Sequence, residues 1–277
     1  MTQPHPRALL ARRGLRPRKR FGQNFLLDAA AASRIAHLCV AGAAHPRVLE
    51  IGAGTGALTR ALLACGADLT ALEIDPDLVD VLRASEDLRD AQIVHADALE
   101  FDYAAWAHGA PWRVAANLPY NVATPLIATF AEMDGGPESL TVMVQQDVAQ
   151  RLAALPGTAA YGSLSVAVQY AMHVGIAFTL PPKAFYPEPK VTSAVVHLTR
   201  RETPAVRPRD LALFRKVVRA AFAYRRKTLV NTLSLALDIP HERVARAVAA
   251  SNLSPELRGE RLDLADFARL ADALAEG

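Results

Sequence analysis

The sequence predicts an α/β protein, a doubly wound sheet followed by a small all-helical region. Three observations carry this. Short apolar runs alternate with helical patterns through most of the first 200 residues, and the first buried run, Val48-Leu49-Glu50-Ile51, opens into a glycine-rich turn and a helix start. Beyond about residue 210 only helical periodicity remains. A buried strand, a glycine turn and a helix in that order mark the nucleotide-cofactor end of an open α/β sheet.

The elements follow in order. Residues 1–27 read as a basic arm, since the first 20 hold seven bases and no acid. Asp28 to Val40 reads as a helix. Strands follow at Val48–Ile51, Leu69–Glu73, Gln92–Ala96, Arg113–Ala116 and Ser139–Val144. Asp147 to Leu155 reads as a helix, Ala160 to Leu164 as a helix start, and His173–Phe178 and Ser193–Leu198 as strands that close the sheet. Pro181, Pro182, Pro187 and Pro189 make the stretch between those two strands a rigid loop, because proline fixes φ and donates nothing. Arg200 to Asp210, with Pro204 and Pro208, reads as a linker. The expected domains are therefore the arm at 1–27, an α/β domain at 28–200 and a helical domain at 201–277.

Bulk properties exclude several classes. Residues of hydrophobic type make up 51% of 277, enough for one large core and a smaller one. The longest apolar candidate, Ser163 to Leu180, is broken by Gln169 and His173, so no membrane span is expected. Cys39 and Cys65 lack a partner motif and suit a reduced, cytoplasmic protein. The histidines are scattered without ligand spacing, and no metal is expected. The net charge of +3 is unevenly spread: residues 21–199 balance to −9 and residues 200–277 to +5. Basic ends around an acidic middle suit a polyanionic partner and a cationic small molecule. An arginine-rich, acid-free start also fits a disordered tail or a mitochondrial presequence. It contains no serine, and an RNA-contacting arm that includes Arg18, Lys19 and Arg20 is the preferred reading.

Four successive strand ends carry the candidate site. The glycines at 52, 54 and 56 fall at every second position rather than in the G-x-G-x-x-G dinucleotide spacing. Gly52 and Gly54 then suit close approach to the amino-acid end of S-adenosylmethionine better than a pyrophosphate. Glu73, at the next strand end, can accept ribose hydroxyls, and Asp97 can accept from an adenine amino group. The fourth strand runs into Asn117-Leu118-Pro119-Tyr120. An exocyclic aromatic amine is a poor nucleophile because its lone pair is delocalised into the ring. Acceptors on both of its N–H groups, the Asn117 amide oxygen and the Leu118 carbonyl, restore that lone pair. Pro119 stiffens the turn, and Tyr120 offers a ring for an unstacked base. In the C-terminal region, a wheel over residues 214–227 gathers Phe214, Val217, Val218, Ala221 and Phe222 on one face. Arg215, Lys216, Arg219, Arg226 and Lys227 lie on the other, a pattern suited to phosphate contact; Arg225 falls among the apolar residues.

These motifs resemble the ribosomal RNA adenine dimethyltransferase family nearly end to end. Lys19-Arg20-Phe21-Gly22-Gln23-Asn24-Phe25-Leu26, Glu50 to Thr59, Asn117 to Asn121, Phe185 to Ser193 and Phe222 to Asn231 each resemble a family segment. Gln146-Asp147 departs from the family's usual Lys-Glu. The resemblance implies a Rossmann-like S-adenosylmethionine-dependent methyltransferase sheet. It also implies cofactor contacts from Asn24, Leu26, Gly52, Glu73, Asp97 and Asn117. Asn117, Tyr120 and Phe185 would hold the target adenine, with Phe185 presented by the proline loop opposite Tyr120. Two adjacent adenosines in a hairpin near the 3′ end of small-subunit (16S) RNA would each be methylated twice, and the small ribosomal subunit would be the partner, with no DNA and a monomeric enzyme. Three alternatives stand at this point: a large-subunit adenine methyltransferase of the antibiotic-resistance type, a non-catalytic ribosome-assembly factor, and a nicotinamide dehydrogenase that shares only the glycine loop and Glu73.

Overall fold

The computed structural model describes residues 5–276 except Arg225; the side chains of Lys19, Tyr120 and Asn121 also lie outside the described set. Two compact units result, one of Met1–Ala149 with Val174–Arg200, the other of Gln150–His173 with Arg201–Gly277.

The first unit opens with helix α1 (Pro6–Arg12), strand β1 (Phe25–Leu26), α2 (Ala29–Val40) and β2 (Arg47–Ile51). Then come α3 (Ala57–Ala64), β3 (Asp68–Glu73), α4 (Pro76–Arg83), β4 (Gln92–His95) and α5 (Tyr103–Ala107). β5 (Arg113–Asn117), α6 (Tyr120–Glu132), β6 (Ser139–Gln145) and α7 (Gln146–Leu152) follow. After α8 (Ser163–Ala171) the sheet is completed by β7 (Met172–Leu180) and β9 (Ser193–Arg200), with the short β8 (Phe185–Tyr186) between them.

The seven-stranded sheet has the order β4-β3-β2-β5-β6-β9-β7. The strands from β4 to β6 pair in parallel, and β9 runs antiparallel to β6. Val48, Leu49 and Ile51 in β2 and Leu140, Val142 and Val144 in β6 are almost wholly buried. Near-continuous apolar runs are what a parallel sheet covered on both faces requires. Helix starts are marked by their caps. Asp28 Oδ1 accepts from Ala31 N at 3.0 Å to open α2, and Asp75 with Pro76 opens α4.

Two features differ from the sequence expectation. The basic arm contains helix α1, anchored by the buried Leu10, and the strand β1. The proline stretch is also not wholly irregular. Phe185 and Tyr186 keep their backbone donors between the prolines and pair antiparallel with Leu26 and Phe25.

The second unit is helical: α8, α9 (Leu211–Ala221), α10 (Leu229–Leu237), α11 (His241–Ala250) and α12 (Leu264–Glu276). Its core gathers Phe214, Leu233, Val248 and Phe267 with Ala154, Tyr161 and Val166. Residues 150–173, expected in the α/β domain, therefore belong to the helical unit. Their apolar side chains are completed by the C-terminal helices, and the buried Tyr161 hydroxyl donates to Leu262 O at 2.9 Å. Alternation along the chain shows that a helix exists but not which layer it joins. The amphipathic wheel is also shorter than expected. α9 stops at Ala221, the Phe222 cap closes it, and Ala223 N turns back to Ala220 O. Arg226 and Lys227 are exposed beyond the helix rather than on its face, and Arg225 lies outside the described residues.

Candidate active site

The order β4-β3-β2-β5 places a topological switch between β2 and β5, since the chain leaves β2 in one direction and returns on its other side. Ligands of open α/β sheets bind in the crevice at the carboxyl ends of such strands. Here those ends carry the glycine turn and Asn117. One cavity at this place is lined by Asn24, Leu26, Gly52, Gly54, Glu73 and Asn117 together. Asp97 lies in an adjoining cavity that shares Phe21, Gly52, Ile74 and Pro119 with the first. It is half-buried, and one of its oxygens already accepts from Leu99 N at 2.8 Å.

Gly52, Gly54 and Gly56 have φ of 74°, 59° and 81°. That alternation of left-handed residues explains the every-second spacing, because only glycine adopts it cheaply. A Cβ on Gly54 would also meet the Phe25 ring at 3.1 Å. Glu73 organises the same loop, a role that sequence reasoning missed. Its Oε2 accepts from Gly54 N at 2.7 Å, and its Oε1 accepts from Ile74 N at 3.0 Å and Asp75 N at 2.9 Å. An ionised carboxylate offers about four acceptor positions. Only one on Oε2 stays open, so in this arrangement a single acceptor position of Glu73 is left for a ligand hydroxyl. Burial raises its pKa, and the three backbone donors with nearby Asp75 modify that shift.

Glu50, on β2 beneath the loop, is another residue the sequence reading did not single out for the site. It is 1% exposed, lines the same cavity, and its Oε2 is buried without a hydrogen-bond partner among the described residues. Burial pushes its carboxyl from 4.5 to about 8; Thr59 and Arg60 oppose this, and Glu73 adds to it. The folded state thus retains a proton that the unfolded chain gives up, so the contribution of Glu50 to stability is greatest below about pH 4.5 and falls as pH rises from about 4.5 toward 8. Removing the titration with Glu50→Gln is expected to flatten that dependence. Denaturant unfolding at pH 5 and pH 8 checks it: the wild type must lose stability relative to the variant on the way up, and a constant difference would refute the buried neutral acid.

Asn117 closes β5. Its Nδ2 donates to Asn24 O at 2.8 Å, which turns Oδ1 away from that contact as an acceptor. Leu118 N donates to Met143 O at 3.1 Å, and the Leu118 side chain is buried. Pro119 caps α6, and its own carbonyl accepts from Val122 and Ala123. The Leu118 carbonyl receives no backbone N–H from the described residues. Asn117 and Leu118 both line the cavity, and each keeps an oxygen that accepts no backbone N–H from the described residues. The Tyr120 side chain, expected to stack on a base, lies outside the described residues.

Phe185 does not stand where the sequence reading put it. Its ring is 2% exposed and packs with Ile35, Leu180, Ala184 and Val195, because the β1–β8 register directs it with Leu26 into the core. It has no open face for a base. Phe185→Ala is accordingly expected to cost about 3–5 kcal/mol of stability, as a buried phenylalanine does. Thermal unfolding checks this, and an unchanged midpoint would restore a role at the surface.

The arm departs from expectation too. Arg18 Nη1 reaches Asp75 Oδ1 at 2.6 Å, its Nη2 pairs with Asp77, and Gln23 donates to Asp75 at 2.8 Å. Arg18 thus ties the arm to the start of α4, where two carboxylates meet its charge. Arg20 is exposed, with its guanidinium 4.6 Å from the Phe21 ring centroid. The Lys19 side chain lies outside the described residues. In the helical unit Arg219, Arg226 and Lys227 are exposed and Arg215 is half-buried.

The buried Glu73, a left-handed glycine cradle and a neighbouring Asp97 fit a cationic nucleoside sulfonium. A Rossmann-like sheet with this site defines an S-adenosylmethionine-dependent methyltransferase. The comparisons narrow the class. A family model for ribosomal RNA adenine dimethylase matches residues 14–276, and the chain belongs to that family. It is 46% identical over 263 residues to ribosomal RNA small subunit methyltransferase A of Pseudomonas aeruginosa, covering 94% of this chain and 96% of that one. The protein of the same name from Streptococcus gordonii is 41% identical over 277 residues, covering 97% and 95%. Among solved structures, a dimethyladenosine transferase from Plasmodium falciparum shares the fold with a TM-score of 0.72 at 22% identity, over 89% of this chain and 95% of that one. The 23S rRNA methyltransferase ErmE matches with a TM-score of 0.68 at 26% identity, over 91% and 100%. The chain is thus an rRNA adenine dimethyltransferase that uses S-adenosylmethionine. Among the described residues no helix is long and apolar enough to cross a membrane.

Proposed function

We propose that this protein dimethylates N6 of two adjacent adenosines in a hairpin near the 3′ end of 16S rRNA, as a step in small-subunit biogenesis. The observation that carries the reading is the Asn117 amide at the cavity wall, pinned through Nδ2 to Asn24 O so that Oδ1 is left as an acceptor, with Leu118 lining the same cavity. In this proposal those two oxygens accept from the N6 amino group and localise its lone pair. Bound S-adenosylmethionine supplies a methyl carbon made electrophilic by a positively charged sulfur. Asn24, Leu26, Gly52, Gly54, Glu73 and Asp97 hold it, with Glu50 beneath, and the Tyr120 ring stacks on the target base. Pro119 fixes the backbone just after the two acceptors and restricts Leu118 before it. Attack and departure lie in line, so positioning carries the acceleration and no general base is needed before the nitrogen attacks. The amino proton leaves afterwards.

The 41–46% identity to small subunit methyltransferases favours that RNA over the large-subunit one, for which the identity to ErmE is 26%. The exposed Arg219, Arg226 and Lys227 contact phosphates in this reading, with Arg20 beside the cofactor side and the half-buried Arg215 near them. The enzyme acts as a cytoplasmic monomer on ribosomal particles and not on DNA. Incubation of unmethylated small subunits with labelled S-adenosylmethionine is expected to yield N6,N6-dimethyladenosine at two neighbouring positions. Label confined to large-subunit RNA, or no label, would overturn the proposal. Neutralising Arg219, Arg226 and Lys227 together is expected to reduce the slope of log affinity against log salt by roughly two. An unchanged slope in a titration with RNA would remove these three from the interface.

A further inference from the structure

A second cavity lies beside the cofactor cavity, lined by Arg7, Leu10, Arg16, Gln23, Tyr186 and Pro187. We infer that it is a subsite for a nucleotide flanking the target adenine, whose base stacks on Tyr186 while its phosphate meets Arg7 and Arg16. This rests on the RNA substrate proposed above.

The two cavities are neighbours by construction. Gln23 lines both, and Tyr186 is the cross-strand partner of Phe25, which lines the cofactor cavity. The β1–β8 register that buries Phe185 therefore turns Tyr186 to the other side of the ribbon. There it packs against the cluster of Leu10, Phe25 and Leu78 and stays half-buried. A ring held by that cluster, with the exposed His5 ring 6.1 Å away and tilted by 60°, loses little freedom when a base covers what remains open, which makes it an efficient stacking platform.

Charge points the same way. Arg18 is committed to Asp75 and Asp77, and Gln23 to Asp75 and the Arg18 backbone. Arg7 and Arg16 are exposed, and neither guanidinium meets a carboxylate among the described residues. Two uncommitted arginines lining the same cavity as an aromatic ring match a phosphate joined to a base. Loop nucleotides that are already unstacked next to a flipped base have both available.

Kinetics with the full chain and isolated small subunits test this. Tyr186→Leu keeps apolar packing and removes the ring, so it is expected to raise KM for the subunit roughly tenfold. Tyr186→Phe keeps the wild-type KM. S-adenosylmethionine affinity stays within about twofold in both, since Tyr186 does not line that cavity. The double variant Arg7→Gln with Arg16→Gln is expected to flatten the salt dependence of subunit binding by about 1.4, at roughly 0.7 per lost contact with single-stranded RNA. A wild-type enzyme that dimethylates the subunit alongside variants with unchanged KM and slope would overturn the subsite and leave the proposed function standing. A wild type inactive on small subunits would overturn both. Loss of thermal stability in Tyr186→Leu without a change in KM would make Tyr186 a packing residue only.

Discussion

Asn117→Ala is expected to lower the single-turnover rate of methylation by about 100-fold, or about 2.7 kcal/mol of transition-state stabilisation. Under the proposed mechanism the variant loses one of the two acceptors for the amino group. It also loses the bond to Asn24 O that holds the N-terminal segment against the end of β5. Cofactor affinity is expected to fall less than the rate, because the glycine loop and Glu73 do not depend on that amide. Asn117→Asp separates the two roles: it keeps an acceptor toward the base but cannot donate to Asn24 O while ionised. Rapid-quench measurements on saturated enzyme decide the matter, and a near-wild-type rate for Asn117→Ala would remove Asn117 from the chemistry.

Glu73→Ala is expected to weaken S-adenosylmethionine binding by at least about 100-fold, equivalent to about 2.7 kcal/mol. Three backbone donors, on Gly54, Ile74 and Asp75, converge on this carboxylate. Each donor left unsatisfied costs about 1–3 kcal/mol, so even partial solvation leaves a large effect. The loss falls on the glycine loop before it falls on the ligand. The unliganded variant is therefore also expected to melt earlier, which a residue that only touches ribose would not do. Glu73→Gln is no rescue, since its amide nitrogen would face backbone donors. Isothermal titration with the cofactor and thermal unfolding without it are the two readouts; a dissociation constant within about threefold of wild type would refute the loop-anchoring role.

The strand ends were legible because a buried strand leaves its mark at its boundary. Val48 to Ile51 apart from Glu50, Leu69 to Leu72 apart from Thr70, and Val114 to Ala116 are apolar, and the polar residues that follow them stand at the crevice. Glu73 and Asn117 emerge at the expected place for that reason. What escaped the sequence depends on partners far away in the chain. Phe185 and Tyr186 are adjacent aromatic residues, and only pairing with Leu26 and Phe25 decides which is buried. Arg18 belongs to an acid-free run, yet its charge is met by Asp75 and Asp77 from another element. Glu50 looked like one more strand residue, and its unpartnered oxygen becomes visible only once β2 is covered on both faces. The helix at 163–171 was likewise recognisable as a helix while its layer was not.

The divided composition of the helical unit has a consequence for synthesis. Ala154, Tyr161 and Val166 emerge from the ribosome long before Phe214, Leu233 and Phe267, with the last two strands of the sheet made in between. Domains fold as units during translation, from the N-terminus onward. Until the late helices appear, the early segment is a tethered apolar fragment whose Tyr161 hydroxyl waits for a carbonyl at Leu262. A chain cut after Arg200 would leave that fragment permanently exposed, so the sheet cannot be excised at the apparent linker without also replacing residues 150–173.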